Sequence, residues 1–164
     1  EEAKARGSRL HLLLEHLPAQ PSTDWPLLAE RILEGAADTE ALLAEAGAVL
    51  TDPALSPIFA PTALAEVPVT AHLGDQRIYG IIDRLIVTPE RVLAVDFKSN
   101  AHVPDNVQNC PKGLLRQMGA YATALAQIYP DRPIETALLW TRTAVLMRLP
   151  HDLVTDALRE VLEP

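Results

Sequence analysis

The sequence predicts an α/β fold, in which a mixed central β-sheet is flanked by helices and preceded by a helical segment. Apolar residues recur at helical spacing through residues 1–63, and β-rich segments begin at residue 66. From there strand and helix patterns alternate to the end of the chain, which is typical of α/β domains. These observations divide the chain into a helical part, 1–63, and an αβ core, 64–164.

Three helices are expected in the helical part. The first has apolar residues at the spacing i, i+3, i+4, i+7, namely Leu10, Leu13, Leu14 and Leu17. It ends at Pro18, because proline interrupts a helix. The second runs from Trp25 to Gly35. The third begins after Asp38 or Thr39, each of which suits an N-cap.

Five strands and two further helices are expected in the αβ core. The strands cover 66–73, 78–87, 92–97, 134–141 and 145–149, and the helices cover 114–128 and 152–162. A polar loop, 100–113, precedes the first of these helices. No clear linker separates the two parts, so we expect the N-terminal helices to pack on the sheet within a single domain, 1–164.

Composition excludes several classes of protein. The 164 residues include 14 Lys and Arg against 22 Asp and Glu, for a net charge of -8. This balance excludes a basic domain that holds nucleic acid by bulk charge, but not nucleic acid as a substrate, because metal ions can bridge carboxylates to phosphates. A single cysteine, Cys110, excludes an internal disulfide and an iron–sulfur cluster held by four cysteines of this chain.

Two features bear on location and completeness. No apolar run reaches the roughly 18 residues of a membrane helix, and no signal peptide opens the chain, so we expect a cytoplasmic protein without a membrane partner. The first residue is Glu1 and not Met, which indicates a fragment of a larger protein.

Charged residues interrupt two apolar strands. Asp83 follows Gly80-Ile81-Ile82, and Asp96 and Lys98 flank Phe97. Charged side chains are rarely buried unless they are paired or bind metal. Because Asp96 and Lys98 are two residues apart in a strand, both are expected on one face, with Phe97 on the other.

The connection between these strands suggests their register. If Pro89 and Glu90 form a two-residue loop, Thr88 pairs with Arg91, and counting back places Asp83 opposite Asp96. Like charges directly opposite one another are destabilising, and a shared divalent cation would offset the repulsion. A slip of one residue would instead separate the carboxylates onto opposite faces.

Two interpretations of these residues remain open on spacing alone. In the first, the aspartates hold a metal and Lys98 orients or helps to deprotonate a water, as phosphodiester hydrolysis requires. In the second, Asp83 pairs with Arg84 or Arg91, and Asp96 with Lys98, as salt bridges at a sheet edge.

Four motifs in order resemble the C-terminal nuclease domain of the AddA and RecB helicase–nuclease subunits, a branch of the PD-(D/E)xK nucleases, and alphaproteobacterial-type AddA in particular. They cover nearly the whole chain: Gly7-x-x-x-His11-x-x-Leu14-Glu15, Glu66-Val67-Pro68, Gly80-Ile81-Ile82-Asp83-Arg84-Leu85 with Val95-Asp96-Phe97-Lys98-Ser99-Asn100, and Gln117-Met118-Gly119-Ala120-Tyr121. The resemblance implies a restriction-endonuclease-like core. Ser99 stands where threonine is common in this branch.

The resemblance also implies roles for individual residues. The metal ligands would be His11, Asp83, Asp96 and the backbone carbonyl of Phe97, with Mg²⁺ as the ion and Mn²⁺ as a substitute. Lys98 would be catalytic. Glu66 would support the site or help to bind metal or water.

The remaining motif lies on a predicted helix. Gln117 and Tyr121, at i and i+4, would share one helix face toward the active site and the DNA strand. Arg84 and Arg116 are candidates for DNA phosphate contacts, although salt-bridging arginines on the surface are at least as plausible an interpretation. We assign Cys110 no role and interpret the other histidines as surface residues: His16, His72, His102 and His151.

The implied function is a Mg²⁺-dependent deoxyribonuclease that degrades unwound single strands within an AddAB-like complex during double-strand break repair. Its partners would be DNA, an AddB-like subunit and the helicase domains of the parent protein. No Walker motif is present, so ATP would bind only in that separate helicase part. An inactive nuclease-fold module for docking on DNA ends or proteins, and a stand-alone exonuclease or restriction-type enzyme, are the alternatives.

Overall fold

Five strands form one mixed sheet in the computed structural model, which describes residues 1–162. The strands are β1 (Leu64–Leu73), β2 (Gln76–Val87), β3 (Val92–Lys98), β4 (Ile134–Trp140) and β5 (Val145–Leu149). They lie side by side in chain order. Only β3 and β4 are parallel, and α4 connects them across one face. The expected fold class is therefore confirmed.

Within residues 1–162, five α-helices cover the sheet: α1 (Glu2–His16), α2 (Trp25–Ile32), α3 (Thr39–Leu50), α4 (Lys112–Ile128) and α5 (His151–Leu162). Each expected helix is present with its ends within a few residues, except that α1 begins earlier, at Glu2. Gly35 ends the second helical region with a φ of 71°, a backbone conformation that glycine adopts at little cost. The proline-rich stretch 53–59 forms short 3-10 turns.

The sheet separates two apolar cores. One face packs on α1, α2 and α3, through side chains that include Leu14, Val95 and Phe97. The opposite face packs on α4 and α5, through side chains that include Ile82 and Met118. The N-terminal helices therefore lie on the sheet, as expected.

The connection between β2 and β3 has the expected register. Val87 pairs with Val92 and Arg84 with Val95, while the amide of Thr88 donates to the carbonyl of Arg91 at 2.9 Å. The next position in this register is Asp83 beside Asp96. There the backbone pairing of β2 with β3 ends.

The alternation of side chains in β2 changes phase at Asp83. Before it, Ile82 faces the α4 side, and after it Leu85 faces that same side although the two are three residues apart. The pairing of β1 with β2 is interrupted at the same place, where Glu66 has a φ of 51°. A residue other than glycine pays about 1–3 kcal/mol for such a conformation. Because of this irregularity, the Asp83 side chain does not follow the regular alternation between the two faces of the sheet.

Within residues 1–162, no single helix is long and apolar enough to cross a membrane. The helix α3 and the turns at Pro53–Phe59 reach that length and composition only as a pair bent by 96°.

Candidate active site

The ends of β2 and β3 bring two carboxylates and an ammonium together. Oδ2 of Asp83 accepts a hydrogen bond from the amide of Phe97 at 2.6 Å, in place of a strand-to-strand hydrogen bond. The Lys98 ammonium nitrogen lies 2.6 Å from Oδ2 of Asp96. Both aspartates are buried, whereas the Phe97 ring packs in the core on the opposite face. Asp96 and Lys98 therefore share one face of β3, as the alternation predicts.

Only part of the salt-bridge interpretation matches these contacts. Asp96 and Lys98 form an ion pair, but they do so on a strand with neighbours on both sides. Asp83 has neither expected arginine partner: Arg91 lies 2.6 Å from Glu135, and Arg84 donates to a backbone carbonyl. A pair of edge salt bridges therefore does not describe the site.

The helix α1 adds His11 to these residues. Its Nδ1 lies 3.3 Å from Oδ1 of Asp83, and its Nε2 lies 3.2 Å from the carbonyl oxygen of Phe97. Both partners are acceptors, so His11 can donate to both of them only in its protonated form, in which each ring nitrogen carries a hydrogen. Gly7, one turn earlier, lets α1 approach the end of β3, because a Cβ there would lie 3.1 Å from Oγ of Ser99.

A buried arginine ties the end of α1 to the sheet. The carbonyl of Leu14 would accept from the amide four residues later, but that residue is Pro18, which has no N–H. Nη2 of Arg84 donates to this carbonyl instead, at 3.1 Å, and its guanidinium lies over the Phe59 ring at 5.2 Å from the centroid. The expectation of a phosphate contact or a surface salt bridge for Arg84 is therefore wrong.

Ion pairs add to this attachment of α1. Arg6 pairs with Glu45 of α3, and Glu45 also accepts from the Thr141 hydroxyl at 2.6 Å. Arg9 pairs with Asp38 at 2.7 Å, just before α3 begins. The position of His11 thus depends on contacts spread over α3, β2 and the chain after β4.

The charges at the site shift each other's pKa values. Burial raises the pKa of Asp96, and the nearby charge of Asp83 adds to the effect, while the Lys98 ammonium opposes it. Burial lowers the pKa of His11, but the hydrogen bond and charge of Asp83, with the charge of Asp96, outweigh it, so that the pKa is raised. The neighbouring carboxylates therefore favour the protonated form of the His11 imidazole.

The helix α4 supplies a chain of hydrogen bonds behind Lys98. The Lys98 ammonium donates to Oε1 of Gln117 at 3.3 Å, and Nε2 of Gln117 donates to the Tyr121 hydroxyl at 3.1 Å. That hydroxyl donates to the carbonyl of Ile81 at 2.8 Å. Tyr121 is buried, and burial raises its pKa to about 12. Gly80 accommodates the ring, since a Cβ there would lie 2.5 Å from Cε1 of Tyr121.

Glu66 lies in β1, at the interruption opposite Asp83. Burial raises its pKa, and the charges of Asp83 and Glu15 raise it further. It is thus electrostatically coupled to the carboxylates of the site, from a strained backbone position.

The other residues considered from the sequence take no part in the hydrogen bonds and ion pairs just described. Arg116 is half-buried on α4, near Glu160. Cys110 is buried, and burial raises the pKa of its thiol. The four remaining histidines are exposed, as expected: His16, His72, His102 and His151.

The donor set suits a hard divalent cation, although it is not arranged as a preformed metal centre. The two carboxylates and the Phe97 carbonyl are oxygen ligands of the kind that Mg²⁺ and Mn²⁺ prefer, and the imidazole adds a nitrogen ligand that is more typical of transition metals. Oδ2 of Asp96 is buried without a well-aligned hydrogen bond, which leaves it capacity for a further ligand. Within residues 1–162, no three His, Cys, Asp or Glu side chains converge with metal-binding geometry, and His11 and Asp83 contact each other. Binding at the imidazole would require His11 to release one of its partners.

A cleft of about 650 Å³ opens beside these residues, and no pattern in the sequence indicates it. The side chains of His11 and Lys98 line it, together with the first turns of α1, the loop 99–102 and Arg142. Arg142 comes from the turn between β4 and β5, and its Nε donates to the carbonyl of Ser99 at 3.1 Å. No local motif signals this residue, because only the parallel pairing of β3 with β4 brings it near the site.

The mixed five-stranded sheet with its flanking helices is the fold of a superfamily of nucleases. The chain belongs to the PD-(D/E)XK nuclease superfamily, whose sequence profile matches residues 1–157. Nucleases of this superfamily generally use divalent metal ions, and the membership supports a hydrolase that acts on nucleic acids.

The fold also resembles a solved structure. The crystal structure of a putative exonuclease from Eubacterium rectale superposes with a TM-score of 0.63 at 15% sequence identity. The alignment covers 98% of this chain and 64% of the other, so the chain spans less than two thirds of that protein. A comparison with curated proteins gave no significant match.

Proposed function

We propose that this chain is the metal-dependent DNA nuclease domain of an AddA- or RecB-like helicase–nuclease. One observation carries the proposal. Asp83, Asp96 and Lys98 meet at the ends of two adjacent strands, and α1 brings His11 within 3.3 Å of Asp83. The reaction would be hydrolysis of phosphodiester bonds, in the manner of an exonuclease degrading unwound single strands.

His11, Asp83, Asp96 and the Phe97 carbonyl would hold the metal, which is Mg²⁺ or, in its place, Mn²⁺. When bound, the ion supplies a water of lowered pKa and neutralises charge on the scissile phosphate. Lys98 holds its ammonium at the cleft, where it can orient the attacking water and stabilise negative charge on the phosphate.

Gln117 and Tyr121 act as positioning residues in this proposal. Gln117 accepts from the Lys98 ammonium, and the buried Tyr121 hydroxyl anchors Gln117 to the carbonyl of Ile81. This chain limits the freedom of the lysine side chain, whose entropy would otherwise oppose a fixed position. Glu66 supports the site through its charge, or helps to bind metal or water.

The assignment to AddA or RecB rests on the four ordered motifs. Under it, residues 1–164 form one nuclease domain, with a helical part, 1–63, and a catalytic core, 64–164, within a longer protein. The longer protein would contain ATP-dependent helicase domains, pair with an AddB-like subunit, and process double-strand breaks for recombination in the bacterial cytoplasm. The acidic charge suits a domain to which a motor delivers the DNA strand.

Cleavage of end-labelled single-stranded DNA tests this proposal. The wild-type chain is incubated with Mg²⁺, Mn²⁺ or EDTA beside two site variants, Asp96→Asn and Lys98→Ala. Two matched control variants on α5 and α4, Asp156→Asn and Lys112→Ala, remove the same charges from exposed ion pairs. We expect metal-dependent cleavage that both site variants lose and both controls retain.

Two other results would contradict the proposal, and a third would limit the activity to the complete protein. Cleavage that persists in both site variants would assign it to another protein or another site. Absence of cleavage together with absence of Mn²⁺ binding would favour the inactive docking module. Mn²⁺ binding that depends on Asp83 and Asp96, without cleavage, would restrict activity to the complete helicase–nuclease.

A further inference from the structure

The cleft beside the candidate active site has a charge opposite to that of the chain. The whole chain carries 22 acidic and 14 basic residues. Among the described residues, none of those that line the cleft is Asp or Glu, whereas four are Lys or Arg: Lys4, Arg6, Lys98 and Arg142. The basic character is therefore local to this surface, where it can attract an anion without making the whole chain bind polyanions.

Two of these cations have no carboxylate partner. Lys98 pairs with Asp96, and Arg6 pairs with Glu45. Within residues 1–162, neither Lys4 nor Arg142 forms an ion pair, and both side chains are exposed. Arg142 donates to the Ser99 carbonyl through its Nε, and the two terminal nitrogens of its guanidinium are available for a ligand.

We propose that Lys4 and Arg142 form a subsite for the phosphate backbone of a single strand, beside the position of cleavage. The proposal rests on the proposed nuclease function and assigns the ligand of this part of the cleft. The subsite is continuous with the reaction centre, because His11, Phe97 and Lys98 line the same cleft. A strand that enters the site would pass the two free cations with its neighbouring phosphates.

The size of the cleft favours a single strand over a duplex. Its volume of about 650 Å³ lies in the range of small-molecule sites, roughly 300–1,000 Å³, which is small for a double helix. Contacts to phosphate carry no direct information about base sequence. The subsite therefore binds strands of different sequence alike, as a degrading enzyme requires.

The test measures binding without cleavage. Fluorescence anisotropy follows a labelled strand of fifteen thymidines in EDTA, from low salt to about 0.2 M NaCl. The wild type is compared with Lys4→Ala, with Arg142→Ala and with the double variant. The control, Lys112→Ala with Arg159→Ala, removes the same net charge from exposed ion pairs on α4 and α5.

We expect the double variant to bind about tenfold more weakly at low salt. The slope of log K against log salt should become shallower by about 0.7 for each phosphate of the single strand that the variant no longer binds. Each single variant should bind about threefold more weakly than the wild type, which is half of the tenfold loss when both are expressed as free energies. A mixed-sequence strand should behave like thymidine, and a duplex should bind at least about tenfold more weakly to the wild type.

Several results would overturn the subsite. The first is an equal loss of DNA affinity in the control and cleft double variants, and the second is an unchanged slope of log K against log salt in the cleft double variant. The third is equal affinity of the wild type for duplex and single strand, and the fourth is no binding by the wild type at low salt. Failure of the nuclease proposal looks different. Binding through Lys4 and Arg142 with neither metal-dependent cleavage nor Mn²⁺ binding would refute the nuclease alone, whereas cleavage with unaltered binding would refute the subsite alone.

Discussion

The helical part, 1–63, and the αβ core contribute to the candidate site in different ways. The core contributes most of the side chains, including Asp83, Asp96 and Lys98, and it holds them through strand register and one helix face. The helical part contributes His11, on a helix that hydrogen bonds and ion pairs attach to the rest of the chain.

This difference separates the chemistry from its assembly. Neighbours along a strand pair stay together as long as the sheet forms, because register sets their positions. A residue on a separate helix depends on every contact that holds the helix in place. Variants in the core should therefore change the reaction at little cost in stability, and variants at the attachment of α1 should change both.

The largest expected effect is on the core side of the comparison. Asp96→Asn should reduce cleavage by at least about a thousandfold, because it removes a carboxylate from the reaction centre. Burial raises the pKa of Asp96 because an ionised carboxylate is unfavourable in a buried position. The uncharged amide side chain of the Asp96→Asn variant does not have this unfavourable free energy. We expect a melting temperature in EDTA equal to or above that of the wild type, measured by circular dichroism. A clear fall would show that the ion pair with Lys98 stabilises the fold.

The contribution of the helical part can be isolated with His11→Ala. The side chain of His11 is 33% exposed and lines the open cleft, so the space left by its removal can fill with water. Cleavage should fall by about a hundredfold or more, while the melting temperature changes by less than about 2 °C. His16→Ala, at the exposed end of the same helix, is the control and should leave both quantities unchanged. Retained cleavage in His11→Ala would place the whole reaction in the core.

Breaking the attachment of α1 should couple stability to activity. Arg84→Ala leaves the buried Leu14 carbonyl without a donor and creates a cavity over Phe59. We expect a loss of about 2–4 kcal/mol in the free energy of unfolding, measured in urea, together with reduced cleavage. Arg148→Ala, at an exposed ion pair, should change the free energy of unfolding by less than about 1 kcal/mol. Equal effects of the two variants would refute the role assigned to Arg84.

A smaller effect should follow from Tyr121→Phe, which removes only the hydroxyl between Gln117 and Ile81. The free energy of unfolding should fall by about 1 kcal/mol, the usual net contribution of a hydrogen bond. Cleavage should fall by about threefold to tenfold through kcat, because Lys98 is then less well positioned. A change confined to KM would indicate that Tyr121 contacts the DNA strand instead.

The smallest effect concerns the partly exposed pair of Arg9 and Asp38, which joins α1 to the start of α3. The hydrogen bond from Arg9 holds the pKa of Asp38 below its usual value. The pair therefore stabilises the fold above the ordinary carboxyl pKa, and this contribution is lost as the pH falls through the lowered pKa. Asp38→Asn should lower the melting temperature by about 1–2 °C at pH 7, and the difference should shrink below about pH 4. If the difference in melting temperature between the wild type and Asp38→Asn grows in acid, the pKa of Asp38 is raised by the fold and not lowered.

Local pattern predicted much of the core half of the site. The two-residue spacing of Asp96 and Lys98 implied one shared face, and the loop at Pro89 and Glu90 implied the register. The i, i+4 spacing likewise implied the contact of Gln117 with Tyr121. These relations depend only on the periods of strands and helices, so they can be read from neighbouring residues.

Other features needed the folded chain. The alternation in β2 breaks at Asp83, opposite the positive φ of Glu66, and a two-residue period cannot reveal that break. The position of Arg84 likewise depends on the folded chain. Pro18 leaves the Leu14 carbonyl without its helical donor, but only the packing of α1 on the sheet brings Arg84 to that carbonyl.

The sequence by itself determined the α/β class, the helical part and the core, and the residue types that identify a nuclease superfamily. Only the tertiary structure decided that His11 reaches Asp83 and that Arg142 and Lys4 line one cleft. The physical reason is the distance along the sequence over which each kind of interaction acts. Periodicity acts over a few residues, whereas these contacts join positions far apart in the chain and depend on how helices and strands pack.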